Sequence, residues 1–207
     1  MRKSRFYDRA RNPRGFWGRR VLKRMNSDRY AAMPEWVLDN LDLPADARVL
    51  DVGCGGGANI KRILQRCSNG TVTGVDRSPL ALKIADELND SDLGTRCVLL
   101  ERRAEELMVG KGVFDVVTAF EIVYYWPDVE KCLKQIFRVL TPGGRVVIAN
   151  ECDGACPEHK ALERKVPGLH IYTADELEHQ LEMSGFEKIE SRSDSDRHFL
   201  CVTARKP

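Results

Sequence analysis

The 207-residue sequence has no uninterrupted apolar run near the ~18 residues that a bilayer-spanning helix needs. No 7–15-residue apolar stretch follows its basic N-terminus, so a secretory signal is not expected. Internal repeats and low-complexity linkers are absent, which argues against solenoids and against a second full domain. Histidine is scarce, with four residues, and Cys152, Cys156 and His159 lack a fourth metal ligand at sensible spacing. No metal is expected. Seven cysteines, an odd and scattered number in a chain of this size, fit a reducing compartment better than a disulfide framework, and the expected location is cytoplasmic.

What is present fits one soluble domain: 43% hydrophobic residues to form a core and 31% charged residues to cover it. The formal charge of +2 hides an asymmetry. Residues 1–24 carry ten cations (Arg2, Lys3, Arg5, Arg9, Arg11, Arg14, Arg19, Arg20, Lys23 and Arg24) against Asp8 alone, a net +9. The other 23 cations and 30 anions leave the body at −7. Such an arm either recruits phosphates of a nucleic acid or an anionic surface, or lies back on its own acidic body, and the last reading is favoured. An arginine-rich start also resembles an organelle transit peptide in composition, a reading given little weight.

Residues 1–14 are polar and expected to be loosely ordered. Phe16, Val21, Leu22 and Met25 interleave with Arg19, Arg20, Lys23 and Arg24, which predicts a short amphipathic helix with a basic face. A further helix is expected over 34–41. Strands and helices then alternate: strand 48–52, helix 58–67, strand 71–75, and helix 79–89 behind a Ser78 cap and Pro79. Strands 97–100 and 114–119 follow, then helix 128–140, halted by Pro142-Gly143-Gly144, and strand 145–150. Thr173 caps helix 174–184, which Gly185 ends, and strands 186–193 and 198–204 close the chain. The last connection is too short for a parallel crossover, so the final strand runs antiparallel. The expected fold class is a doubly wound, mostly parallel seven-stranded α/β sheet with an antiparallel last strand. A basic arm with lid helices occupies 1–40, and a cofactor domain 41–207.

Asp51-Val-Gly53-Cys-Gly55-Gly56-Gly57 joins the first strand to its helix. Glycines there allow a tight turn and close backbone approach to a ligand at the carboxyl ends of the strands. Asp76, 19 residues beyond Gly57, ends the next strand, where a carboxylate can accept both hydroxyls of a ribose. Its other reading is a helix cap, which Ser78 fills better. Gly53-x-Gly55-x-x-Ala58 also matches a permissive dinucleotide fingerprint. Against that reading, Asp51 would repel a pyrophosphate but suits a cationic amino group, and the antiparallel last strand is foreign to the usual dehydrogenase sheet.

Val49-Leu-Asp51-Val-Gly53-Cys-Gly55-Gly-Gly57 resembles the first motif of class I S-adenosylmethionine-dependent methyltransferases, of the small single-domain, type 11-like kind. Val72-Thr-Gly-Val-Asp76-Arg-Ser-Pro79 is similar to their second motif. Phe114-Asp-Val-Val-Thr-Ala119 with Tyr124-Tyr-Trp-Pro-Asp128, and Arg138-Val-Leu-Thr-Pro-Gly-Gly-Arg-Val146, look like their later segments in order. The resemblance implies S-adenosylmethionine as cofactor, with Asp51, Gly53, Cys54 and Gly55 around its methionine part and Asp76 on its ribose. Arg77 would flank the adenine. The usual Asp-Ala pair after the third strand is replaced by Arg103-Ala104-Glu105, so adenine would rest on the Ala104 backbone and Glu105. Ala119 and Phe120 would pass beneath the sulfonium.

For the chemistry, Tyr124, Glu121 and His170 are the candidates. Tyr124 and Tyr125 orient an acceptor or line its pocket, and Glu121 attracts a cation or takes a proton. Packing against the next helix is an equal reading for Tyr125 and Trp126. His170 is a candidate base, with a solvent-facing loop histidine as the commoner reading. A small-molecule acceptor leads. A nucleic-acid or protein acceptor using the basic arm comes next, then a non-catalytic binding module and, last, a nucleotide oxidoreductase. No membrane partner is expected, and the sequence specifies no oligomeric state.

Overall fold

The structure is a computed structural model that describes residues 3–207; Arg2 of the basic arm, and the side chains of Lys3, Arg5 and Asp8, lie outside that description. Alternating hydrophobic strands and amphipathic helices produce one seven-stranded sheet. Its strands are β1 (Arg48–Val52), β2 (Thr71–Asp76), β3 (Cys97–Glu101), β4 (Phe114–Phe120), β5 (Leu140–Asn150), β6 (Glu187–Asp194) and β7 (Phe199–Arg205). They lie in the order β3-β2-β1-β4-β5-β7-β6. β1 pairs in parallel with β2 and β4, while β7 runs antiparallel to both β5 and β6. The expected fold class and the reversed last strand are both found.

The helices are α1 (Lys3–Arg11), α2 (Gly15–Met25), α3 (Ala32–Leu38), α4 (Ala58–Arg66), α5 (Pro79–Leu88), α6 (Val129–Val139), α7 (Pro157–Glu163) and α8 (Ala174–Met183). Side chains alternate across a strand, so β1 feeds two cores. Val49 joins Ile60 and Ile63 of α4 and Val37 of α3 on one face. Leu50 and Val52 join Leu133 and Ile136 of α6 and Leu177 of α8 on the other. Each such buried aliphatic side chain is worth about 1.5–3 kcal/mol relative to exposure. Leu22 of α2 is buried against Ala81 and Ile84 of α5, which fastens the arm to the sheet domain.

Local signals set the helix ends. Ser78 Oγ accepts from Ala81 N at 3.3 Å, Asp128 caps α6 through Lys131 N at 2.9 Å, and Thr173 and Glu176 form a reciprocal capping box on α8. Three expectations are corrected. Residues 3–11 form α1, because Phe6, Tyr7 and Ala10 share a helical face that meets the body. Pro142-Gly143-Gly144 does not halt α6; the helix ends at Val139 and β5 begins at once. The pairing then shifts between Phe114↔Leu140 and Val116↔Arg145, so 141–144 bulge from the ladder. The helix expected at 34–41 begins at Ala32, with Pro34 in its first turn. No helix among the described residues is long and apolar enough to cross a membrane.

Candidate functional site

The carboxyl ends of β1, β2, β4 and β5 open into a cavity of about 440 Å3, roofed by α1, α2 and the segment up to Pro34. That size falls within the roughly 300–1,000 Å3 of small-ligand pockets. At its base lies the glycine turn. Gly53 N and Cys54 N both donate to Val75 O, at 2.8 and 3.0 Å, which ties the turn to the end of β2. Gly53 has φ +74°, and a Cβ there would stand 2.5 Å from Ile122 Cγ1. A Cβ on Gly55, at φ +54°, would meet nothing closer than Leu22 Cδ2 at 4.0 Å, so its open side faces the cavity. Asn26 of the arm closes the turn from above by donating to Gly56 O at 2.7 Å.

Asp76 lines the cavity beside this turn. Its carboxylate accepts from Gly55 N at 3.0 Å and Ser78 N at 2.8 Å. Burial raises its pKa, and the backbone donors pull the other way. Each carboxylate oxygen thereby uses one hydrogen bond and keeps capacity for another donor. Arg77 lines the same end and donates to Arg11 O at 2.8 Å. Burial lowers its pKa, and the nearby Arg11 and Arg103 charges add to that. Ala104 and Glu105, just after β3, complete the end expected to receive the adenine.

Asp51 and Ala119 do not line the cavity. Asp51 is 1% exposed behind the glycine turn, where Oδ1 accepts from Thr118 Oγ1 at 2.7 Å and Oδ2 has no partner. Burial pushes its pKa up to about 7, the Thr118 bond opposes that, and the Asp76 charge adds to it. An unmatched carboxylate oxygen under the turn suits a cationic group held just above it. Ala119 is fully buried in the core on the opposite face of β4 from Phe120, which does line the cavity.

Glu121, Tyr124 and Tyr125 stand together at the other end. Glu121 has φ +56°, an uncommon backbone for a side-chain-bearing residue, held by Glu121 N donating to Ala149 O at 2.8 Å. Its Oε2 accepts from Tyr124 OH at 2.6 Å, and its Oε1 accepts from the Glu151 backbone N–H. Burial and the neighbouring Glu151 push its pKa up to about 7. Glu151 is shifted upward by burial too, with Arg29 opposing. Tyr124 meets Tyr125 edge-on with ring centres 4.6 Å apart, and Tyr7 of α1 at 6.2 Å. Tyr125 OH donates to Tyr7 O at 3.0 Å, so α1 is bonded across this end.

His170 stands apart from the other candidates. Its side chain is half exposed and lies outside the cavity, drawn to Glu163 at 3.3 Å and Glu176 at 3.8 Å beside the start of α8. Cys152 touches Tyr7 OH through Sγ at 3.6 Å, and Asp153 pairs with His198. Among the described residues no group of three His, Cys, Asp or Glu side chains stands ready to hold a metal. Sequence reasoning missed Tyr7, Asn26, Arg29 and Glu151, all of which line the cavity, as does His159, which it weighed only as a metal ligand. Glu151 had a usable signal, because it follows directly on β5 at the ligand end of the sheet.

A family model described as a methyltransferase domain matches residues 43–194. The chain belongs to that methyltransferase domain family. The cavity fits S-adenosylmethionine, the cofactor that the sequence motifs imply, with a carboxylate at Asp76 that can accept two further donors, an open glycine face and an unpaired acid behind the turn. The chain is 37% identical over 114 residues to a ubiquinone biosynthesis O-methyltransferase of Pseudomonas entomophila, covering 54% of this chain and 47% of that one. It thus spans about half the length of the curated relative it matches. A methyltransferase from Haloferax volcanii, solved in complex with the Trm112 methyltransferase activator, superposes with a TM-score of 0.80 at 19% identity over 98% of this chain and 97% of that one. A SAM-dependent methyltransferase from Aquifex aeolicus gives 0.76 at 18% identity over 91% and 98%. These two likenesses establish the shared fold.

Proposed function

We propose that this chain transfers the methyl group of S-adenosylmethionine to a small-molecule acceptor enclosed beneath α1 and α2. The observation that carries the reading is the pairing of Gly55 N with Asp76 at one end of a cavity whose other end holds Glu121 and Tyr124. When bound, the cofactor supplies a methyl carbon on a positively charged sulfur, open to in-line displacement. Asp76 accepts the ribose hydroxyls, Arg77 flanks the adenine, and the Ala104 backbone with Glu105 holds its edge. Gly53, Cys54 and Gly55 present backbone to the methionine part. Asp51 acts on the amino group from behind the turn, through its charge. Phe120, with Ala119 before it at the end of β4, forms the floor under the reacting centre.

Much of the rate in such a reaction comes from holding nucleophile and methyl about 3–3.5 Å apart in line. Tyr124 and Glu121 orient the acceptor, and Glu121 takes a proton from it where one must leave. Residues 1–40 serve as a lid on a cofactor domain formed by 41–207. In support, Phe6, Tyr7 and Arg11 line the cavity, Arg11 donates to Pro167 O at 2.7 Å, and Arg19 pairs with Glu87 at 2.8 Å. Cations engaged in this way favour an arm folded back on its own body over one that grips a nucleic acid. The name of the Pseudomonas relative supports a small organic acceptor in the same direction. Seven free cysteines, six of them buried, support a cytoplasmic setting.

The test is incubation with isotopically methyl-labelled S-adenosylmethionine and a cell extract split by dialysis. Label transferred to the dialysable fraction, with release of S-adenosylhomocysteine, is the expected result. Label in RNA or protein instead contradicts it.

A further inference from the structure

We propose that the acceptor is an amine, received as its ammonium form between the Glu121 and Glu151 carboxylates and the rings of Tyr7, Tyr124 and Tyr125. The inference rests on the methyltransferase reading of the same cavity. Glu121 and Glu151 follow directly on β4 and β5, whose parallel register sets Phe120 opposite Ala149 and so brings the two acids side by side. Both line the cavity, and the Glu151 backbone N–H donates to Glu121. Arg29 acts on this pair through Glu151, so it offsets one carboxylate and leaves the other, when ionised, to meet a cation. An ionised Glu121 repels an acceptor arriving as a phenolate or carboxylate and attracts a cation.

The tyrosines point the same way. Their hydroxyls are engaged: Tyr124 with Glu121, Tyr125 with Tyr7 O and Tyr7 with Cys152. What they offer a ligand is ring surface, and rings around a desolvated ammonium are the usual means of holding one. The left-handed backbone of Glu121 is maintained at a local cost, which is characteristic of residues held for function. Burial of the acid pair leaves one of its members able to hold a proton near neutral pH.

The chemistry balances. The ammonium gives a proton to the Glu121–Glu151 pair and becomes a free amine. Its lone pair forms the N–C bond as the C–S bond breaks, with that electron pair staying on sulfur. The product leaves as a methylated ammonium, and the proton passes from the carboxylate to water.

The experiment is calorimetry on the full chain saturated with S-adenosylhomocysteine, titrated with choline and, separately, with its neutral carbon isostere 3,3-dimethylbutan-1-ol. Choline should bind at least about tenfold more tightly, as expected for a caged and ion-paired cation. Glu151→Gln and Glu121→Gln should each remove most of that preference while S-adenosylhomocysteine still binds normally, which certifies a folded site. A cation bound no more tightly than the isostere overturns the amine assignment alone. Failure to bind S-adenosylhomocysteine overturns the assignment together with the methyltransferase reading beneath it.

Discussion

Replacing Asp76 with Asn keeps the shape of the side chain and removes its charge. In the structure the carboxylate accepts from Gly55 N at 3.0 Å and Ser78 N at 2.8 Å, so each oxygen already holds one backbone donor. The ribose hydroxyls add two further donors. An amide offers one oxygen, and its NH2 turns a donor toward a donor wherever the second oxygen stood. A hydrogen bond to a charged group is worth about 1.5–3 kcal/mol, and an unmatched buried donor costs about 1–3 kcal/mol. With one hydrogen bond to the ribose broken and the other weakened, cofactor binding should fall by roughly 3 kcal/mol, about a hundredfold at 1.4 kcal/mol per decade. The donor-to-donor clash with Gly55 or Ser78 should also lower Tm by about 2–4 °C per kcal/mol of stability removed. Calorimetry with S-adenosylmethionine reads the first effect and circular-dichroism melting the second. A folded Asp76→Asn protein whose Kd stays within about threefold of the parent, a loss under about 0.7 kcal/mol, refutes the ribose assignment.

Gly53→Ala combines φ +74° with a Cβ 2.5 Å from Ile122 Cγ1, so about 1–3 kcal/mol of strain should appear as a lower melting temperature, and an unshifted melt would show that the turn yields. Glu121 has a folded pKa near 7 against an ordinary 4.5, so its contribution to stability declines as pH rises from 4.5 to 7 and is constant above that. The groups that face it are Tyr124, Glu151, Tyr7, Cys152 and, through Glu151, Arg29. If it takes a proton, kcat/KM should fall as pH drops below about 7, and Glu121→Gln should abolish that limb; an identical profile in the variant removes its proton-accepting role. His170→Ala should leave kcat/KM within about twofold, since its ring lies outside the cavity, and a loss of a decade or more would return it to the catalytic set. Deleting residues 1–24 strips Phe6, Tyr7, Leu22 and Arg24 from the cavity wall, so acceptor KM should rise at least about tenfold. Unchanged cofactor affinity and turnover after that deletion would refute the lid.

The sheet was readable in the sequence because its signals are local. A strand of apolar residues ends in glycines, Ser78, Asp128 and Thr173 stand where helices begin, and the Asp194–Asp196 turn is too short for a crossover. The place of Asp76, at the end of the second strand, was readable for the same reason. α1 was hidden because its arginines swamp an apolar face of three residues, and that face has meaning only against Tyr125 and the cavity. The partnership of Glu121 and Glu151 was hidden because it spans thirty residues and depends on β4 and β5 being neighbours in register. Asp51 looked like a direct ligand, yet its position two residues before Gly53 turns it toward Thr118 of β4. His170 followed loop chemistry rather than the sheet, and its place was decided by Glu163 and Glu176.

The proposed function requires one cavity over the ends of β1 and β2 to hold S-adenosylmethionine with its methyl directed at Glu121 and Tyr124. A crystal structure of the chain grown with S-adenosylhomocysteine tests it most directly. Ribose oxygens should lie on Asp76, the amino-acid tail across Gly53 and Gly55, and the sulfur should face the acid–tyrosine end. Adenosine bound elsewhere, or a glycine turn that admits a dinucleotide pyrophosphate in its place, would contradict it.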